Sequence, residues 1–190
     1  MNIKFAALLA AAALSVAACE QQAATPQQVS AVPAADTASA TPADAPSAPQ
    51  TLTSSDNAVS ISVTGNFQDQ LGGNALPEGA EAGTILQQYD ENTDITLTVV
   101  DAGKPVKPAK EYYANLKTAL EQAGFASLKA GAATENRMDY SFTDAEGNNH
   151  NCINIYSPDN LYAVCAFSSS ADNATLAETL KDVKLLKKAM

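Results

Sequence analysis

The amino-acid sequence predicts an α+β domain: an antiparallel sheet with helices packed on it. Three observations carry that expectation. Runs such as 59–63, with Val59, Ile61 and Val63, and 137–143, with Met138, Tyr140 and Phe142, alternate apolar and polar residues with the period of two that marks a strand with one buried face. Between them, Tyr112, Tyr113, Leu116, Ala119, Leu120 and Ala123 form one stripe at helical spacing, predicting a helix over 109–123. Two further extended runs, 149–156 and 161–168, flank Ser157-Pro158-Asp159-Asn160, where Pro at the second position and short polar neighbours suit a type I turn.

That last pair predicts its own register. Folding the chain about Pro158 and Asp159 opposes residues whose numbers sum to 317, so Tyr156 faces Leu161, Ile153 faces Val164, Ile155 faces Tyr162, and Cys152 faces Cys165. Directly opposed Cβ atoms lie about 4.5–5.5 Å apart, near the separation a disulfide needs. A slip of one residue would send the two cysteines to opposite faces and forbid the bond. Asn154 and Ala163 share the cysteine face, which is mixed but uncharged and is expected to lie under the C-terminal helix.

Taken in order, residues 1–18 place Lys4 before an apolar run from Phe5 through Ala13 and end in small residues, the pattern of a secretory signal too short to span a membrane comfortably. From 19 to 55 the chain is Ala, Pro, Thr, Ser and Gln with almost no large apolar side chain. Such a segment buries too little to offset the entropy of ordering and is expected to be a disordered tether. Residues 56–190 are expected to form one globular domain. Its opening strand, 59–63, ends at Gly65-Asn66, and a long loop follows with Phe67 and Leu71 tucked inward. Strands over 84–89 and 94–100 pair around Asp90-Glu91-Asn92-Thr93. The helix 109–123 stops at Gly124, a residue suited to the left-handed cap. A short strand near 125–128 and the strand 137–143 lead through Asp144-Ala145-Glu146-Gly147 into the hairpin. Asp172 or Ser170 then caps a closing helix that turns Leu176, Leu180 and Val183 inward, with Lys181, Lys184, Lys187 and Lys188 near its negative end.

Charge and cysteine content narrow the function. The chain carries 21 acidic and 11 basic residues, with one histidine and three cysteines. Of the charged residues only Glu20, Asp36, Asp44 and Lys4 precede Thr51, leaving the remainder acidic and without the clustered Lys and Arg of a phosphate-binding surface. Nucleic acid is not an expected partner. An odd cysteine in an exported chain calls for a separate explanation, and Cys19 supplies it.

Val16-Ala17-Ala18-Cys19 resembles the lipobox of bacterial lipoproteins, in which cleavage falls between the last small residue, here Ala18, and a cysteine that receives lipid, here Cys19. The resemblance implies a diacylglycerol on the sulfur and a further acyl chain on the new amine. Two or more chains hold a protein stably at a membrane, where one is marginal. Residue 20 is Glu and not the Asp that resembles an inner-membrane retention signal, so the expected location is the outer membrane, facing the periplasm. There Cys152 and Cys165 meet an oxidising environment.

The order strand, long loop, strand pair, helix, antiparallel strands and closing helix resembles the DcrB-type envelope lipoproteins. The residues carrying it are 59–63 with Asn66-Phe67-Gln68-Asp69-Gln70, the helix from Glu111 to Ala123, the strands from Met138 and the last helix. The resemblance implies a PsbP-like α/β/α sandwich and a non-catalytic protein that docks on envelope proteins or supports envelope integrity. The cysteine pair and the long tether depart from that family's pattern.

Chemistry-bearing residues are few, and no catalytic residue, metal ligand or cofactor is expected. His150 lies two residues from Cys152 on one strand face, and with Cys165 and Met138 it has the donor types of a soft-metal site. Oxidation of the cysteines removes the thiolates such a site needs, so a structural disulfide is the expectation. Asp90, Glu91 and Asp94 lack the ligand spacing of a calcium loop and are expected to form a solvated turn. Tyr112 and Tyr113 are expected in the core. The alternative they leave open is a groove between helix and sheet serving a small-ligand carrier or inhibitor.

Overall fold

A computed structural model of the chain describes residues 48–72 and 80–186. The readings that fall on the signal segment, on Cys19 and the tether as far as residue 47, on 73–79 and on 187–190 lie outside the described residues. In chain order the elements are β1 (Pro49–Thr53), β2 (Val59–Thr64), β3 (Gln68–Asp69), β4 (Thr84–Asp90), β5 (Ile95–Asp101), α1 (Ala109–Gln122), β6 (Ala126–Ala130), β7 (Arg137–Thr143), β8 (Asn149–Tyr156), β9 (Leu161–Ser168), α2 (Asn173–Thr179) and β10 (Val183–Leu185). The strands form two antiparallel sheets, a small one in the order β1-β2-β10 and a large one in the order β3-β4-β5-β9-β8-β7-β6. The α+β class expected from the sequence is what the structure shows.

Alternation along the strands separates two cores. Val59, Ile61 and Val63 of the small sheet, Leu176 of α2 and Leu180 at its C-terminal cap pack against Leu97, Val99, Ile153, Ile155 and Val164 on one face of the large sheet. Each such side chain, fully buried, contributes roughly 1.5–3 kcal/mol. The opposite face carries Met138, Tyr140, Asn154 and Tyr156, and α1 covers it with Tyr113 and Leu120. Helices thus lie on both faces of the large sheet. The cysteine face lies on the side that α1 covers, which corrects the expectation that the C-terminal helix would cover it. The reason is parity: the inward face of β8 toward α2 is the fully apolar one, Ile153 and Ile155, and α2 takes that face.

Local chemistry explains most boundaries. Pro108 stands at the N-cap of α1, and Gly124, at φ 73°, ends it in the left-handed conformation that glycine adopts without penalty. Asp172 caps α2, its carboxylate accepting the Thr175 N–H at 2.8 Å. The β8–β9 hairpin adopts the register read from its turn, with Cys152 opposite Cys165 and Ile153 opposite Val164.

Three readings differ from the sequence expectation. Gln68 and Asp69, read as part of the long loop, form β3, because they meet the open edge of β4 at Tyr89 and Gln88. Residues 49–53, read as tether, form β1: Leu52 pairs with Ile61 and packs on the core, while Gln50 Oε1 accepts the Phe67 N–H at 3.0 Å. The ordered domain therefore begins before residue 56. An edge strand needs only one inward side chain and free main-chain partners, which composition does not report. Val183, read as the last turn of the closing helix, opens β10 and pairs with Ile61 of β2. It is buried as expected, but from a strand, because the open edge of β2 offers main-chain partners that a further turn of α2 would leave unmatched.

Candidate functional site

The residues singled out for chemistry on the hairpin are occupied by one another. Cys152 and Cys165 form a disulfide between β8 and β9, so neither sulfur is a thiolate donor. The imidazole of His150 lies between the rings of Phe142 and Phe167, at centroid distances of 4.5 and 5.3 Å, and its Nε2 is 2.8 Å from Asp144 Oδ2. Phe125 stacks on the far side of Phe142 at 4.1 Å. This ladder follows from register, since Phe142 opposes His150 and His150 opposes Phe167. Burial works against the Asp144 carboxylate, but hydrogen bonds from His150 and from the side chain and backbone of Asn148 prevail and hold its pKa down at about 2. Met138 lies apart from these groups, in the core beneath α1. Among the described residues no group of three or more His, Cys, Asp or Glu is arranged to hold a metal ion.

The acidic turn between β4 and β5 is likewise built into the protein. Asp90 is buried and accepts the backbone N–H groups of Asn66 and Asn92 at 3.2 and 3.0 Å. Asp94 accepts hydroxyls from Ser169, Ser170 and Ser168 at 2.6, 3.1 and 3.3 Å, and from Tyr89 at 3.3 Å. The Ser169 bond is the leading cause that lowers the Asp94 pKa, with some opposition from burial. Asp94 thus ties the β4–β5 turn to the end of β9, and Asp90 ties it to the segment that follows β2.

Beneath α1 the tyrosines meet a single asparagine. Tyr112 donates its hydroxyl to Asn154 Oδ1 at 2.8 Å, and Tyr113 donates to the Asn154 carbonyl at 3.2 Å. Tyr156 donates to the Lys107 carbonyl at 2.9 Å, and the three rings lie within 5.3–6.4 Å of one another. Burial pushes the Tyr113 phenol up to about 12 and also raises Tyr112, so both remain neutral donors at any physiological pH. Their role here is to lock α1 to β8.

One concave feature stands out on this side. A groove of about 730 Å³ runs between α1 and the segment joining β6 to β7. From the helix it is lined by Lys110, Tyr113, Ala114 and Lys117, a stripe at i, i+3, i+4 and i+7. The facing wall is Gly131 to Glu135, and Met138 lies at the base. Hydrogen bonds fasten that wall at both ends, from Gly131 N–H to the Asp139 carbonyl at 2.8 Å and from Thr134 N–H to the Arg137 carbonyl at 2.8 Å. The sequence reading placed a groove between helix and sheet beside Tyr112 and Tyr113. Tyr113 lines it, whereas Tyr112 points to Asn154. The lysine stripe was legible as the seven-residue spacing of Lys110 and Lys117, but the opposing wall was not, because nothing local joins residues 131–135 to the helix. Among the described residues no helix is long and apolar enough to cross a membrane.

No family model matches the chain, and no curated protein matches it. Among solved structures it is similar to the solution structure of cyanobacterial PsbP (CyanoP) from Synechocystis sp. PCC 6803, at 11% sequence identity and a TM-score of 0.48, over 79% of this chain and 99% of that one.

Proposed function

We propose that this chain is a lipid-anchored bacterial envelope lipoprotein, held at the outer membrane through Cys19 and facing the periplasm, that works as a non-catalytic interaction module. In this reading the folded domain docks on envelope proteins or supports envelope integrity, as its resemblance to DcrB-type lipoproteins implies. The observation that carries the reading is the pairing of Cys152 with Cys165. A disulfide persists in an oxidising compartment such as the periplasm, and it leaves Cys19, which follows Val16-Ala17-Ala18, as the one cysteine to be accounted for. Further support comes from the side chains that catalysis would draw on: the single histidine is stacked and paired, and the buried tyrosines and turn carboxylates are hydrogen-bonded partners of the fold.

The test is anchorage followed by capture. Cys19→Ala should move the protein from the detergent phase to the aqueous phase on partition, and the mass of the N-terminal peptide of the unaltered protein should carry the added acyl chains. Photo-crosslinking in intact cells should then trap a specific envelope protein. An unmodified Cys19 with unchanged membrane partition removes the anchor from the reading, and a purified domain that turns over a substrate removes the non-catalytic role.

A further inference from the structure

We infer that the groove between α1 and the β6–β7 segment binds an anionic amphiphile, a single apolar chain ending in a carboxylate. This goes beyond anchorage and docking and does not rest on them, since the groove belongs to the folded domain alone.

The groove has the size and make-up of a ligand site. Its 730 Å³ falls within the roughly 300–1,000 Å³ usual for small-molecule clefts, which are mostly apolar with a few placed polar groups. The exposed apolar part is the alanines at 114, 132 and 133, while Tyr113 and Met138, only 2% and 1% exposed, close the base from within the core. Small residues on the facing wall leave the space open, and the hydrogen bonds of Gly131 and Thr134 hold that wall in place before any ligand arrives. The hydroxyl of Tyr113 is held by the Asn154 carbonyl, so it presents no polar group to the groove.

Charge selects the anion. Lys110 and Lys117 stand on the rim two helical turns apart, about 10 Å along the axis, against the single carboxylate of Glu135. The chain as a whole carries a net charge of −10, so a rim with more cations than anions departs from its surroundings. Among the described residues Lys110 makes no ion pair, and Lys117 reaches Glu121 only at 4.0 Å, between two exposed side chains. Lys110 can meet a carboxylate directly and Lys117 by leaving its long, exposed contact with Glu121, while the methylene stems of both extend the apolar wall. A linear amphiphile satisfies both requirements at once: chain along the alanines and the lysine stems, over the buried Tyr113 and Met138, and head at a rim lysine.

Met138 supplies the readout. The full chain labelled with 13C-methyl methionine is titrated without detergent with decanoate below its micelle concentration, and separately with decyltrimethylammonium, with a glutamate-rich peptide and with vesicles of acidic lipid. Decanoate should shift the Met138 methyl resonance saturably. The cationic amphiphile should bind about tenfold more weakly or worse, and Lys110→Glu with Lys117→Glu should weaken decanoate by a similar factor, since two exposed charge contacts are reversed. Ala133→Trp, on an exposed part of the wall, should abolish the shift while circular dichroism stays unchanged. Equal response to both amphiphiles, a shift surviving Ala133→Trp, a silent Met138, or a response to the peptide or the vesicles in place of decanoate would each overturn the assignment. The readout is the same whether the chain is anchored or free, so failure of the anchor and failure of the groove are separate results.

Discussion

Breaking the Cys152–Cys165 bond should cost about 3 kcal/mol of stability and leave the fold intact. The two cysteines are separated by 13 positions, and closing a loop of that size in the unfolded chain corresponds to about 3 kcal/mol in the chain-entropy account. Replacing both by Ala adds a packing loss of about 1 kcal/mol, because Cys152 is only 2% exposed and its sulfur leaves a small void. The fold should survive because β8 and β9 are central: β9 is also hydrogen-bonded to β5 and β8 to β7, and Ile153 with Val164 holds the register from the other face. Urea unfolding of the oxidised protein, the reduced protein and the Cys152→Ala/Cys165→Ala variant checks this. With a slope of about 2 kcal/mol per molar, reduction should lower the midpoint by about 1.5 M and the double variant by about 2 M. A midpoint shift below about 0.5 M would refute the loop-closure argument. Loss of near-ultraviolet dichroism without denaturant would refute the claim that the neighbouring strands suffice.

Other perturbations test separate links. Asp144 is held near pH 2, below the ordinary 3.8, so its stabilisation is present above about pH 4 and is lost as pH falls through 2. Asp144→Asn should therefore cost about 1–2 kcal/mol at neutral pH, and the difference from the unaltered protein should vanish near pH 2 in an acid titration followed by dichroism. Asn154→Ala removes the acceptor of Tyr112 while leaving the carbonyl that Tyr113 uses, and should cost about 1–2 kcal/mol. Added to Tyr112→Phe it should prove non-additive, and strict additivity would show the bond contributes nothing. A chain beginning at residue 56 loses β1 and the packing of Leu52, the partner of Ile61, on the core, so it should melt lower and self-associate more than one beginning at residue 48. Equal melting of the two would return residues 49–53 to the tether.

What the sequence by itself determined is whatever short-range chemistry dictates. The Ser157-Pro158-Asp159-Asn160 turn set the register that brings Cys152 to Cys165, the stripe from Tyr112 to Leu120 with Gly124 marked α1, and the choice of Asp172 or Ser170 as cap marked the start of α2 to within two residues, Asp172 being the one used. These signals lie within a few residues of what they specify, so periodicity and turn preference suffice to read them. Tertiary structure alone decided the rest. The polar run Pro49–Thr53 and the tripeptide Val183–Leu185 become strands because β2 has two edges whose main-chain groups need partners. The stripe of Leu176, Leu180 and Val183 is compatible with a helix throughout, and only the nearness of Ile61 tells a strand from another turn. The ladder from Phe125 to Phe167 and the pairing of Tyr112 with Asn154, 42 positions away, exist because strand order sets those side chains side by side. The groove is the clearest case. Its lysine wall follows helical spacing and can be read, but its other wall comes from the β6–β7 segment, and the space between two elements is a property of their packing that neither segment encodes.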